Sequence, residues 1–169
     1  MSLGETSGLL WIEAPVWYAI QKAVKKQPKL EVMGIGHAYI DPSGTICMDD
    51  IRIPPQEVSG AAVHTKAEDF MKLWGQLIKE FGEKWTEWCV YWHSHCNMGT
   101  GPSGTDTTEL ANVVKNNLEF AVGLVVNVRG EHTAWAELKY PFETSVDLEV
   151  QVDNPVYPEW DERVDTWMA

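Results

Sequence analysis

Residues 88–106 read Trp-Cys-Val-Tyr-Trp-His-Ser-His-Cys-Asn-Met-Gly-Thr-Gly-Pro-Ser-Gly-Thr-Asp, from Trp88 to Asp106. The first five are β-branched, aromatic or apolar, so they predict a strand that His93 and His95 bring to its end. On a strand, side chains two apart project from one face, so both imidazoles can converge on one point. The glycine-rich stretch after them predicts a loop, and Asp106 opens a run to Asn117 that reads as a helix. Strand, loop and helix thus deliver two imidazoles and a carboxylate to one place. Three such ligands leave one position of a tetrahedral ion open for water, the arrangement of a catalytic rather than a structural zinc site.

Two histidines alone carry little information. The full pattern, His93 and His95, then Ser103, then Asp106, requires four residue types at fixed spacing. Its chance occurrence in a chain of this length is on the order of 10⁻⁴. The competing reading makes the histidines ordinary strand residues and Asp106 a plain helix cap.

Composition narrows the classes. With 169 residues, 44 % of them hydrophobic and nine of them Trp, the chain predicts one globular domain with a sizeable core. The formal net charge of −12 argues against nucleic acid or an anionic membrane surface as partner. No apolar run reaches the roughly 18 residues that a membrane-crossing helix needs. The opening Met-Ser-Leu-Gly-Glu lacks the basic-then-apolar order of a secretion signal. Cys47, Cys89 and Cys96 form no disulfide framework, so reduced thiols and a cytoplasmic location are expected.

Outward from the motif, helical spacing predicts Ala14 to Lys26, with Pro15 in its first turn, and Lys66 to Phe81, stopped by Gly82. Strands are expected at Leu30 to Ile40, Thr45 to Ile53, Gly60 to His64, Glu87 to His93, Phe120 to Val128, Thr133 to Lys139 and Val146 to Val152. The nearly continuous apolar run from Phe120 predicts burial on both faces. Residues 1–10 are read as an N-terminal segment outside the fold, some of it open to a vector origin. Residues 11–152 form the domain. Residues 153–169 are an acidic tail with Trp160 and Trp167, read as loosely packed or as a contact segment.

A hydrolytic site also needs a base to take a proton from water. Glu109 lies one helical turn beyond Asp106. Glu31 opens an apolar strand in Glu-Val-Met-Gly-Ile-Gly, whose glycines permit close backbone approach. Both stay open on spacing alone. His37, His64 and His132 have no motif partner, and Trp85, Trp88 and Trp92 read as core and site wall.

Together, Glu31-Val-Met-Gly34, His93-Ser-His95, Ser103 and Asp106 resemble the JAMM (MPN+, JAB1-type) zinc metalloproteases over roughly Trp11 to Val152. The resemblance implies one Zn²⁺ per chain held by His93, His95 and Asp106, with Glu31 as general base and Ser103 supporting the tetrahedral intermediate. It implies an α/β fold of the α+β type. The fold implied is a single JAB/MPN domain whose central, mixed but mostly antiparallel sheet is flanked by about three helices, in cytidine-deaminase-like layering. It also implies hydrolysis of a peptide or isopeptide bond in a protein or peptide substrate, a ubiquitin-like protein or conjugate among them. Two departures stand out. Cys96 replaces the Pro usual after the second His, and the glycine-rich loop 97–102 is closer to prokaryotic and phage-borne JAB proteins than to deubiquitinases. A metal-free scaffold of the same fold, an assembly-associated processing protein, and an Fe(II) site built on the same ligands are the alternatives.

Overall fold

The alternating and apolar runs become strands, and the amphipathic runs become helices, in a computed structural model that describes residues 8–55, 57–59, 62–64, 67–152 and 159–169. Along the chain these are β1 (Gly8–Ile12), α1 (Ala14–Lys26), β2 (Met33–Ile40), β3 (Ile46–Arg52), β4 (Glu57–Ser59), β5 (Ala62–His64) and α2 (Ala67–Phe81). They continue with β6 (Val90–Ser94), α3 (Gly104–Asn116), β7 (Phe120–Val126), β8 (His132–Leu138), β9 (Thr144–Val152) and α4 (Glu159–Trp167). The expected strand at Glu87 begins later, because Gly82–Glu87 winds into a 3-10 turn after α2. Gly82 starts that turn at a φ of 59°, a left-handed conformation that glycine adopts without a side-chain clash. Parts of the strand expected from Gly60, and the helix start expected at Lys66, lie outside the described residues.

The architecture corrects the sequence expectation. Seven strands form a closed barrel in the order β1-β3-β2-β6-β7-β8-β9, accompanied by four helices, rather than a central sheet flanked by about three. Closure comes from β1, which pairs in parallel with β3 on one side and with β9 on the other. Leu10 is thereby opposite both Ile46 and Val150, and neither edge of the sheet is left to water. Three residues set aside with the N-terminal segment, Gly8 to Leu10, therefore begin the closing strand. β4 and β5 form a separate two-stranded hairpin.

One main core fills the fold. Val16, Ile20, Ala23 and Val24 of α1 are fully buried with Leu10 and Ile12 of β1 and with Leu124 and Val125 of β7. A smaller cluster lies beneath α2, where Leu73 and Leu77 pack with Ile35 and Trp88. Past residue 158 the chain returns to the domain. Trp160 and Val164 of α4 are buried, the Tyr18 hydroxyl donates to Asp161, and Lys22 and Lys26 pair with Asp161 and Asp165.

What matters for function is the order β6–α3–β7. β6 and β7 run parallel, and α3 is the crossover between them. β6 also pairs antiparallel with β2, placing Met33 opposite His93. The residues before β2 and the end of β6 are thus side by side.

A histidine paired with two carboxylates sits further along β2. His37 Nδ1 is 2.5 Å from Asp49 on β3, and its Nε2 is 2.8 Å from Glu87 at the end of the 3-10 turn. Burial opposes charge on this ring, but the hydrogen bonds to the two carboxylates outweigh it and raise the pKa above 6.5. A histidine whose folded pKa is raised adds stability below its unfolded pKa and loses it as pH climbs through the folded one. The stability advantage of the native chain over His37→Gln should therefore be full below pH 6.5 and shrink above it, as read by denaturant midpoints across pH. An advantage that grows with pH would contradict the pairing.

Candidate metal centre

The three ligands expected from sequence meet. His93 Nε2 and His95 Nε2 are 3.0 Å apart, and Asp106 Oδ2 lies 3.5 Å from the first and 3.7 Å from the second. Ligands about 2.0–2.1 Å from a tetrahedral ion stand about 3.3 Å from one another, so the three distances bracket what zinc requires. Among the described residues this is the one group of three or more His, Cys, Asp and Glu able to converge on an ion, and Cys96 is not in it.

Two of the ligands, His95 and Asp106, are held from behind. His95 Nδ1 is 2.9 Å from the Gly99 carbonyl, so that nitrogen carries the proton and Nε2 presents its lone pair to the centre. Burial holds the pKa of His93 below its ordinary value, against the pull of the Asp106 carboxylate. Burial pushes the other way on Asp106, yet the Ser103 backbone N–H and the nearby imidazoles keep its carboxyl below the usual range. A neutral imidazole and an ionised carboxylate are the protonation states that bind a cation.

Asp106 owes its place to a capping box. Ser103 is the N-cap of α3: its Oγ accepts from the Asp106 N–H at 3.2 Å, and its own N–H donates to Asp106 Oδ2 at 2.7 Å. Ser103, expected to assist catalysis, is thus also the residue that aims the carboxylate. Its exposed hydroxyl still has a proton to donate.

Glu31 precedes β2 and is half-buried. Its carboxylate is near enough to act electrostatically on both His93 and Cys96. The strand-end contact that brings it there runs through Ser94, the residue between the two histidines. Ser94 is fully buried, its Oγ accepts from the Val32 N–H at 2.9 Å, and its N–H donates to the Val32 carbonyl at 2.8 Å. Glu109 lines the cavity that His93 and Asp106 also border.

Sequence reasoning missed the bracing of the loop. Asn127, fully buried in the β7–β8 turn, donates from Nδ2 to the Met98 carbonyl and to Glu131, while its Oδ1 accepts the Arg129 and Glu131 N–H groups. Arg129 reaches the Asn97 carbonyl at 2.5 Å, and its bidentate pairing to Glu131 drives that carboxyl down to about 2. Backbone bonds from His95 to Val126 and from Val128 to Cys96 complete the clamp. Cys96 itself sits at a φ of 53°, where the chain turns away from β6. Its thiol pKa is raised by burial and by Glu31, which disfavours the thiolate that would ligate a metal. The only sequence signal near this clamp is Arg129-Gly130-Glu131, which predicts a hairpin turn into the strand from Thr133.

No family model matches the chain, and no curated protein matches it.

Zinc affinity, measured by competition with a chromophoric chelator, should show one site per chain. His95→Ala and Asp106→Ala should abolish it, and Asn127→Ala should weaken it roughly 10- to 100-fold by loosening the loop. Wild-type affinity in Asp106→Ala would remove that residue from the ligand set.

Proposed function

We propose that the protein is a zinc-dependent peptidase or isopeptidase of JAMM-like chemistry, acting on a peptide or protein substrate. The observation that carries this reading is the convergence of His93, His95 and Asp106 beside Glu31 on neighbouring strand ends, with one coordination position left for water. A zinc ion held there would polarise the scissile carbonyl and lower the pKa of bound water toward neutrality. Glu31 takes the proton from the attacking water and returns it to the leaving amine. Ser103 donates its hydroxyl to the oxyanion that develops on the carbonyl oxygen. His95 and Asp106 stay fixed, because the Gly99 carbonyl and the Ser103 N–H hold them before any substrate arrives.

The motif resemblance supports the chemistry; the closed barrel corrects the architecture it implied, so the proposal rests on the site. The cytoplasm is the compartment we infer, since Cys47, Cys89 and Cys96 are all unpaired. No helix among the described residues is long and apolar enough to cross a membrane.

Hydrolysis of a fluorogenic peptide or of ubiquitin-like conjugates should require zinc and be lost on chelation. Glu31→Gln should retain zinc yet lose about 10²- to 10⁴-fold in kcat. Full activity of that variant with zinc bound would remove Glu31 as the base.

A further inference from the structure

Beside the metal centre the barrel wall opens into an apolar cavity of about 460 Å³. His93 and Asp106 form part of its lining, so it is continuous with the place where a bond would be cut. The rest is supplied largely by Met33, Trp74, Trp92, Leu110, Val113 and Trp135, from three strands and two helices. Polar groups on the lining beyond the centre are few, chiefly Glu109 and Asn112 of α3.

One cross-strand pair shapes the wall. Trp135 of β8 lies opposite Gly123 of β7, which lies opposite Tyr91 of β6, so this indole and His93 share one face of the sheet. A Cβ on Gly123 would stand 2.3 Å from the Trp135 ring. The indole therefore rests on bare backbone, and any side chain at that glycine would displace the ring that shapes the wall. The volume lies within the roughly 300–1,000 Å³ typical of small-ligand pockets, ample for one aromatic side chain.

We propose that this cavity is the specificity pocket of the site and takes a large apolar, preferably aromatic, side chain from the residue flanking the scissile bond. The inference rests on the hydrolytic reading for the meaning of "scissile", but not for the binding itself. Glu109 on the lining adds a second filter, since an acidic side chain entering here meets its carboxylate away from the metal ligands. The substrate class that follows is a peptide or amide conjugate whose cleaved bond adjoins Phe, Trp, Leu or Met, not Asp or Glu.

The test has two arms. In the first, metal-free protein is titrated with N-acetyl-phenylalanine amide and with N-acetyl-alanine amide, reading the indole N–H signals of Trp74 and Trp135 by NMR. The phenylalanine amide should bind at least 10-fold more tightly and shift both signals. Val113→Trp, which fills the cavity from α3, should remove that preference with zinc content unchanged. Asn112→Phe serves the same purpose from the adjacent position should Val113→Trp fail to fold. Equal binding of the two amides, or an undiminished preference in a folded filled variant, overturns the proposal. In the second arm the zinc-loaded protein is given peptides varied on either side of the bond, with an expected gain of roughly 10- to 100-fold in kcat/KM for Phe over Ala at one position. Cleavage without such a preference overturns the pocket and leaves the hydrolase standing. Selective binding without cleavage supports the pocket and contradicts the hydrolase.

Discussion

The hydrogen-bond ladders on either side of β6 are the constraint from which the site follows. On one side β2 runs antiparallel and sets Met33 opposite His93; on the other β7 runs parallel and sets Val125 opposite the same residue. A strand paired on both edges cannot slip by one residue without turning His93 toward the wrong face. That register fixes where both imidazoles point, and Ser94 adds a side-chain bond that ties the Glu31 segment to them. The parallel partner forces a crossover, the crossover is α3, and the first turn of α3 carries Asp106. Ligands and candidate base thus depend on one five-residue strand.

The loop between His95 and Ser103 is rich in glycine and could by composition move freely. It is held instead by Asn127, Arg129 and backbone bonds from the β7–β8 turn. A buried asparagine left without its partners would cost about 1–3 kcal/mol, so the turn and the loop are stable only together. The ligand geometry is therefore set before a metal arrives, which reduces the ordering that binding must accomplish. The same parallel pair places the cavity: its floor includes Gly123 of β7, and its rim includes the ligand-bearing end of β6.

Much of the site was legible in the sequence because its signals are local. His93 and His95 share a strand face by parity, and Asp106 follows a serine at the spacing of a capping box. The bounds of α1, Ala14 to Lys26, agree with a stripe of apolar residues between two prolines. What could not be read were long-range pairings. Gly-Leu-Leu-Trp-Ile at residues 8–12 is too short and too evenly apolar to show a period, and its parallel partners lie some 36 and 140 residues away. With that strand unread, the sheet was expected to lie between helices, and its closure into a barrel was hidden. The glycine–tryptophan pair that walls the cavity was hidden for the same reason, since it is a fact of register between strands. Ser94, Asn127 and Arg129 look ordinary in sequence and gain meaning only from the carbonyls and amides they reach.

Cys96 is where the ligand set meets its sharpest challenge. It follows His95 directly, and a thiolate there would change both the charge of the centre and its chemistry. The chain turns at that residue into a left-handed conformation and burial opposes ionisation of the thiol, so the account assigns the metal to nitrogen and oxygen alone. X-ray absorption at the zinc edge of the metal-loaded protein measures this directly. The account predicts a first shell of nitrogen and oxygen at about 2.0–2.2 Å with two imidazoles in the outer-scattering pattern, whereas a sulfur scatterer at about 2.3 Å would contradict it.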